Sequence, residues 1–121
     1  MNTRINSFSF HDSTFDDVVA HDGIGTIQTV RVADKGKYRG LNFIDLTIIP
    51  PGSTIGLHTH GAHDEEVYVV ISGCGQMSMG REEFPVKSGD VIVNPAGGTH
   101  GLRNIGDEPV RIVVLDVPAP E

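Results

Sequence analysis

Short runs of apolar and β-branched residues, separated by glycine and proline, recur along most of the chain. These runs lie at 26–34, 41–49, 53–60, 66–71, 76–80, 83–86, 91–94, 99–105 and 109–117. Each has the length of a β-strand, and none shows the sustained periodicity of an amphipathic helix. Pro50 and Pro51 follow the run 41–49, and Pro95 follows the run 91–94. A proline cannot donate a hydrogen bond within a central strand, so these prolines mark strand ends. The pattern predicts an all-β fold, either a sandwich or a small barrel.

The first forty residues are less regular than the rest. Phe8 and Phe10 alternate with serines, which predicts a short edge strand, whereas Ser13 and Asp16 form a weak capping pattern for one helical turn. A solvated arm that anchors a few aromatic residues is the alternative. We therefore expect one structural domain over 1–121, with an N-terminal arm and leading strands at 1–40 and a barrel core at 41–117.

Composition narrows the class of protein. The 121 residues carry nine basic and sixteen acidic side chains, a formal charge of −7, and this balance argues against nucleic acid as a partner. No apolar stretch is long enough to span a bilayer, so no membrane partner is expected. Cys74 is the only cysteine, which rules out an intrachain disulfide and is consistent with a cytoplasmic location.

Two histidines, His58 and His60, are separated by a single residue within a predicted strand. Alternate side chains of a strand share a face, so the two imidazoles lie roughly 6–7 Å apart on one side. Further ligands are available from Glu65 or Glu66 just downstream and from His100. Three imidazoles and one carboxylate suit a first-row divalent metal ion, and the sequence therefore predicts a metal site.

A second motif makes this site more specific. Gly89 is followed by Pro95, Gly97, His100 and Asn104 in the pattern G-x5-P-x-G-x2-H-x3-N, and the first stretch reads G-x5-H-x-H followed by E-x6-G. Together, over about residues 41–117, they resemble the two conserved motifs of the cupin superfamily. The resemblance implies a short antiparallel β-barrel or double-sheet jelly roll. It also implies one divalent transition metal per chain (Fe, Mn, Zn, Ni or Co), held by His58, His60, a glutamate and His100.

The choice of glutamate follows from strand phase. The family usually has four residues between the second histidine and the glutamate; Glu65 satisfies that count, whereas Glu66 satisfies the six-residue separation from Gly73. A strand's register is set along its length, so an extra residue is absorbed more easily in the loop 61–64 than in the paired strand. We therefore predict Glu66 as the ligand, with Tyr68 on the same face.

Several side chains beside the motifs are candidates for catalysis or substrate binding. His63 lies in the loop between ligands and is either an acid/base at the pocket rim, acting with Glu66, or a solvated loop residue. The expected substrate contacts are Tyr68, Met77, Met79 and Leu102, although methionines more often fill gaps in a core. His11 and His21 fall outside both motifs and are expected on the surface.

The resemblance leaves function open between classes, because similar barrels support different chemistries. The leading hypothesis is a metal-dependent enzyme acting on a small polar organic molecule, either a dioxygenase or an isomerase/lyase. The alternatives are a non-catalytic module that binds a sugar-like molecule and a storage or structural barrel.

Two predicted strands, EVYVVI and VRIVVLDV, are apolar on both faces. One face of a barrel strand fills the interior, so the other must be covered by something else. The sequence predicts a homodimer, in which the 1–34 segment is available to contribute a swapped strand.

Overall fold

Ten β-strands and no helix are formed by residues 6–120, the part of the chain that the computed structural model describes. The strands are β1 (Asp16–Val18), β2 (Ile27–Ala33), β3 (Phe43–Ile49), β4 (Thr54–Thr59), β5 (Asp64–Ser72), β6 (Cys74–Met79), β7 (Glu82–Lys87), β8 (Val91–Asn94), β9 (Thr99–Asn104) and β10 (Val110–Pro118). The all-β prediction is confirmed. Among these residues no helix exists that is long and apolar enough to cross a membrane.

The strands form two antiparallel sheets whose inner faces enclose the core. The larger sheet has the order β1-β2-β3-β10-β5-β8, and the smaller has the order β4-β9-β6-β7. Alternate residues of β10 are buried, from Val110 through Ile112 and Val114 to Asp116, which marks the side of that strand that faces inward. Twelve buried apolar side chains from both sheets form one core cluster, so the two layers are held together by a shared interior.

The chain passes from one sheet to the other between β5 and β6 at a tight turn. Gly73 takes a φ of +85° there, and a side chain at this position would come within 2.6 Å of the Pro109 carbonyl oxygen. Glycine is therefore required both by the backbone conformation and by the close approach. This requirement gives a structural reason for the glycine that closes the first motif.

Strand boundaries differ from the predicted ones where pairing continues into a polar stretch. Strand β5 begins at Asp64 rather than at position 66, because Asp64 and Glu65 pair with Pro118 and Val117 of β10. Pro85 lies inside β7, which is tolerated because β7 is an edge strand with one unpaired side.

The N-terminal expectations need correction. No strand forms at Phe8–Phe10 and no helical turn follows Ser13. Instead, residues 16–18 form β1, which pairs with β2 at the end of the six-stranded sheet. The local pattern did not indicate this strand, because Asp16 and Asp17 are exposed polar residues that pair through their backbone.

Candidate metal centre

The four predicted ligands come from both sheets and meet between them. His58 lies in β4 and His100 in β9, and their Cα atoms are direct partners in the antiparallel pair. His60 follows the end of β4, where its N–H donates to the Gly98 carbonyl. Glu66 projects from β5 of the opposite sheet and is buried. Directly paired residues share a face, so this register brings the histidines together.

The ligand atoms of these four residues all lie within 4.8 Å of one another. Nε2 of His58 is 3.2 Å from Nε2 of His60, which in turn is 3.0 Å from Oε1 of Glu66. Nε2 of His100 is 3.3 Å from the same carboxylate oxygen. Three nitrogens and an oxygen therefore surround one point.

Contacts on the far side of two rings show which nitrogen is available to an ion. Nδ1 of His58 donates to the Gly56 carbonyl at 2.8 Å, and Nδ1 of His60 faces Oδ2 of Asp64 at 3.4 Å. With protons on both Nδ1 atoms, the two Nε2 atoms present lone pairs to each other. Such an arrangement is favourable when a cation lies between them, and hydrogen bonds of this kind orient metal-binding histidines.

His100 supports the same conclusion. Its ring is 1% exposed, and among the described residues neither ring nitrogen makes a hydrogen bond, since the 3.3 Å approach of Nε2 to Glu66 Oε1 does not have hydrogen-bond geometry. A buried polar atom without a partner is costly, and coordination to an ion is one way to satisfy it. The residues present therefore fit a divalent metal ion.

Burial also sets the protonation of the centre. It lowers the pKa of the His58 imidazole to about 4, and the neighbouring His100 ring adds to this shift. His58 is thus neutral at physiological pH, as a metal ligand must be. Burial raises the pKa of the Tyr68 phenol well above its usual value, and the charge of Glu66 acts in the same direction. Tyr68 therefore keeps its proton.

Strand phase turns Glu66 and not Glu65 toward the interior. Buried residues alternate along β5 at Glu66, Tyr68 and Val70. Glu65 lies on the other face of the sheet, where its register partner is Val117 of β10. Glu65 is absent from the group of side chains that could hold a metal ion. The register of β5 against β10 is unbroken from Asp64 to Val70, so an extra residue is expected, and has room, only in the loop before β5.

A cavity of about 310 Å³ opens beside the four ligands, and His58 and Glu66 form part of its wall. Its other polar lining residues are His21, Thr29, Asp45, Thr47 and Tyr68. Its apolar lining residues are Val18, Ala20, Ile27, Ile55 and Val114. The volume is at the lower end of the range of about 300–1,000 Å³ that is usual for small-molecule sites.

His21 is exposed as expected, but it also contacts the centre. Its ring stacks on that of His58 with centroids 3.5 Å apart and planes 9° from parallel. His21 and Asp22 both take positive φ values, 52° and 55°, in a turn that packs on β4 next to Gly56. Because position 21 lies outside both motifs, no spacing in the sequence indicated this contact.

Asp45 is a second cavity residue that neither motif includes, but the sequence does carry a signal for it. It interrupts the apolar run 41–49, and strand alternation places it on one face with Thr47. A polar face within an otherwise apolar strand is typical of a strand that lines a cavity.

The remaining candidates are not brought to this cavity, with the exception of Tyr68. His63 is exposed and lines a separate cavity of about 640 Å³ together with Asp64 and Asp116. Met77 and Leu102 are fully buried in the core, and Met79 packs against that core opposite His100. His63, Met77, Met79 and Leu102 are therefore not lining residues of the cavity beside the four ligands. Their roles in substrate binding or proton transfer stay predictions.

A pair of carboxyl groups lies behind His60. Burial, together with the nearby Asp64 carboxyl group, raises the pKa of Asp116 to about 7, while the proximity of Asp116 lowers the pKa of Asp64. Asp116 also accepts a hydrogen bond from Asn42 Nδ2 at 2.8 Å. With the proton held on Asp116, Asp64 remains anionic and can accept the Nδ1 proton of His60.

Comparison with known families agrees with this geometry. Residues 45–117, more than half of the chain, match the family model described as the cupin domain. The chain is a cupin. Proteins of this family commonly bind a divalent metal, and in this cupin the cluster of three histidines and Glu66 could hold one.

Two relatives and one solved structure illustrate the similarity. An uncharacterized protein of Methanocaldococcus jannaschii is 39% identical over 71 residues, which cover 59% of this cupin and 56% of that protein. An oxalate-binding protein of Thermotoga maritima is 31% identical over 67 residues, covering 55% of this chain and 54% of the relative. The matched segment therefore spans about half the length of these relatives.

The crystal structure of a predicted oxalate decarboxylase from Thermotoga maritima superimposes with a TM-score of 0.84 at 23% identity. The match covers 89% of this cupin and 95% of that chain. At this level of identity the similarity concerns the fold, which is a cupin barrel with two antiparallel sheets.

Proposed function

We propose that this cupin is a metal-dependent enzyme that acts on a small polar organic molecule. The proposed reaction is an isomerisation or a lyase reaction in which the metal serves as a Lewis acid. The observation that carries the proposal is the convergence of four ligand atoms within 4.8 Å beside a cavity of about 310 Å³. A metal placed there is accessible to a bound molecule, whereas a purely structural metal is usually enclosed by protein ligands.

When bound, a divalent ion held by three neutral imidazoles and one carboxylate keeps residual positive charge and polarises a ligand oxygen. The chain supplies the surroundings for that chemistry. Tyr68 keeps its proton and lines the cavity, so it can donate a hydrogen bond to an oxygen of the bound molecule. His58 is held in one tautomer by Gly56, and the Asp64 carboxylate orients His60 in the same way.

A dioxygenase is the second candidate, and the apolar part of the cavity favours it. Ile27, Ile55 and Val114 form apolar wall beside His58 and Glu66. Such a wall can hold a planar organic substrate next to the residues that would hold the metal. With iron or manganese bound, the same four ligands suit oxygen chemistry.

Elemental analysis of the purified protein, followed by assays on the metal-loaded form, distinguishes these functions. For the leading proposal, NMR spectra of hydroxy acids, keto acids and sugars incubated with loaded protein are expected to show new signals that a chelator abolishes. Oxygen consumption with catechols, flavonols, diketones or thiols would favour the dioxygenase instead. Binding of a small molecule without turnover would identify a non-catalytic binding protein and contradict both enzyme proposals.

A further inference from the structure

Three polar side chains on β2 and β3 line the cavity and are not among the candidate metal ligands. Asp45 and Thr47 project from β3 into the cavity, and Thr29 projects from the neighbouring β2. Asp45 of β3 and Tyr68 of β5 lie on either side of Val114 of β10, because both residues are register partners of Val114. Adjacent strands lie roughly 4.8 Å apart, so the backbones of Asp45 and Tyr68 are separated by about 10 Å.

The Asp45 carboxylate is fixed by Arg31, its register partner on β2, which is not a lining residue of the cavity. Nε of Arg31 donates to Oδ1 of Asp45 at 2.9 Å and Nη2 donates to Oδ2 at 3.2 Å. The guanidinium of Arg31 lies 3.8 Å above the ring of Phe43, which restrains it further. Two hydrogen bonds leave acceptor positions on both carboxylate oxygens, because an ionised carboxylate has about four. A preoriented acceptor therefore faces the cavity.

The two threonines provide hydroxyl groups beside this acceptor. Oγ1 of Thr29 and Oγ1 of Thr47 are 3.0 Å apart and share a hydrogen bond. One hydroxyl hydrogen is used in that bond. The other can be donated to a ligand or, if it belongs to Thr29, to the Leu46 carbonyl at 3.4 Å, and lone pairs on both hydroxyl oxygens remain to accept from a ligand. Such a group of side chains matches the hydroxyl groups of a ligand.

Charge limits the ligand further. Among residues 6–120 no arginine or lysine lines the cavity itself, and the cation beside Asp45 is Arg31, which is already paired with it. A second carboxylate or a phosphate on the ligand would face Asp45 and would have to compete with it for Arg31, which already donates two hydrogen bonds to Asp45. Such an approach is unfavourable in a partly desolvated site.

From these observations we propose that the cavity binds a polyhydroxylated monocarboxylate of four to six carbons. Its carboxylate and adjacent oxygen lie at the metal, and a distal hydroxyl donates to Asp45. This inference rests on the proposed function, since it takes the metal end of the cavity as the site of the oxyanion. Asp45 then acts as a specificity determinant that rejects ligands with a second anionic group.

Two pairs of ligands that differ only at the distal carbon test the proposal. Gluconate and threonate end in a hydroxymethyl group, whereas glucarate and tartrate carry a carboxylate at that position. Isothermal titration calorimetry of the metal-loaded protein is expected to show tighter binding of the monocarboxylate in at least one pair, by about tenfold or more. Metal content is measured after each titration, so that extraction of the ion is not counted as binding.

Variants assign the preference to Asp45. In Asp45→Asn the preference for the monocarboxylate is expected to disappear, whereas Asp107→Asn, which makes the same change on an exposed loop, should keep it. Arg31→Gln leaves Asp45 without its counter-charge and should increase the preference. Because Arg31 is exposed, this second variant keeps the proposal testable if Asp45→Asn does not fold.

The outcomes separate this inference from the proposed function. If loaded wild-type protein binds neither member of either pair, the oxyanion site and the inference both fail. If it binds both members of each pair equally, or if Asp45→Asn keeps the preference, only the inference is overturned.

Discussion

Individual residues around the centre are held in defined charge states by burial and, for Asp64, by contact with Asp116. His58 is kept neutral, Tyr68 keeps its proton, and Asp116 holds a proton to near pH 7 while Asp64 stays anionic. These states are mutually consistent, because each leaves a lone pair or a hydrogen where the neighbouring group needs one. The environment therefore prepares the imidazoles for a cation before any ion is bound.

Asp116→Asn is expected to alter the pH dependence of stability of the metal-free protein. In the unfolded chain Asp116 loses its proton near its usual pKa of 3.8, but in the folded protein it keeps the proton to about 7. Unfolding therefore releases a proton in this window, and the contribution of Asp116 to stability falls as pH rises from about 4 to 7. Urea unfolding at several pH values should show the variant gaining stability relative to wild type across that window, by at most about 1.4 kcal/mol for each pH unit.

The exposed carboxylate of Asp107 provides the control for this measurement. Asp107→Asn should give a curve parallel to that of wild type. A constant difference between Asp116→Asn and wild type from pH 4 to 7 would contradict the assignment of a retained proton to Asp116.

At the scale of elements, β4 is positioned by a distant turn as well as by its sheet partner. The turn 20–24 lies against β4, with the Gly56 N–H donating to the Ala20 carbonyl at 3.0 Å and the Thr54 N–H donating to the Ile24 carbonyl at 2.9 Å. The backbone can approach this closely because Gly56 has no side chain. His21 is carried on this turn and reaches the ring of His58 as a result.

Gly56→Ala is therefore expected to displace the turn. A Cβ atom at position 56 would collide with the His21 carbonyl oxygen and come within 2.9 Å of the Gly23 nitrogen. Forced repacking of this kind costs about 1–3 kcal/mol, so the melting temperature should fall by several degrees. Gly61→Ala is the matched control, because a Cβ there meets only Asp64 Oδ1 at 3.9 Å and the residue does not have a positive φ. Equal melting temperatures for the two variants would contradict the proposed docking of the turn.

Features encoded by neighbouring residues could be predicted from the sequence, whereas contacts between distant segments could not. The strands and the inward direction of Glu66 follow from local alternation and from the two motifs, both of which are encoded within a few neighbouring residues. The contact of His21 with His58 depends on pairing between segments far apart in the chain, and β1 depends on backbone pairing by exposed aspartates. Asp45 could be predicted in part: its strand was predicted, but the cavity that this strand lines was not.

At the scale of the whole molecule, the outer face of the six-stranded sheet is apolar and partly exposed. Ile71 is 45% exposed, Val91 61% and Val93 54%, and all three belong to the paired strands β5 and β8. Val67 and Val69 lie on the same face and are half-buried. A contiguous apolar face at the edge of a sheet is a typical interaction surface, which supports the expected homodimer.

Light scattering at micromolar concentration tests the dimer. Wild type is expected to have the mass of two chains, and Val93→Lys should shift it toward one chain by placing an unpaired charge in the interface. Leu57→Lys changes a similarly exposed residue on the four-stranded sheet and should leave the mass unchanged. A monomeric mass for wild type would contradict the homodimer.

The most direct test of the whole account is the metal content of two neighbouring glutamate variants after reconstitution and dialysis. We predict about one divalent ion per chain in wild type, near-normal content in Glu65→Gln, and a sharp loss in Glu66→Gln, because a neutral amide replaces the anionic ligand. The two variants make the same chemical change on opposite faces of β5. Loss of the metal in Glu65→Gln with retention in Glu66→Gln, or a wild-type protein that holds no metal, would contradict the account.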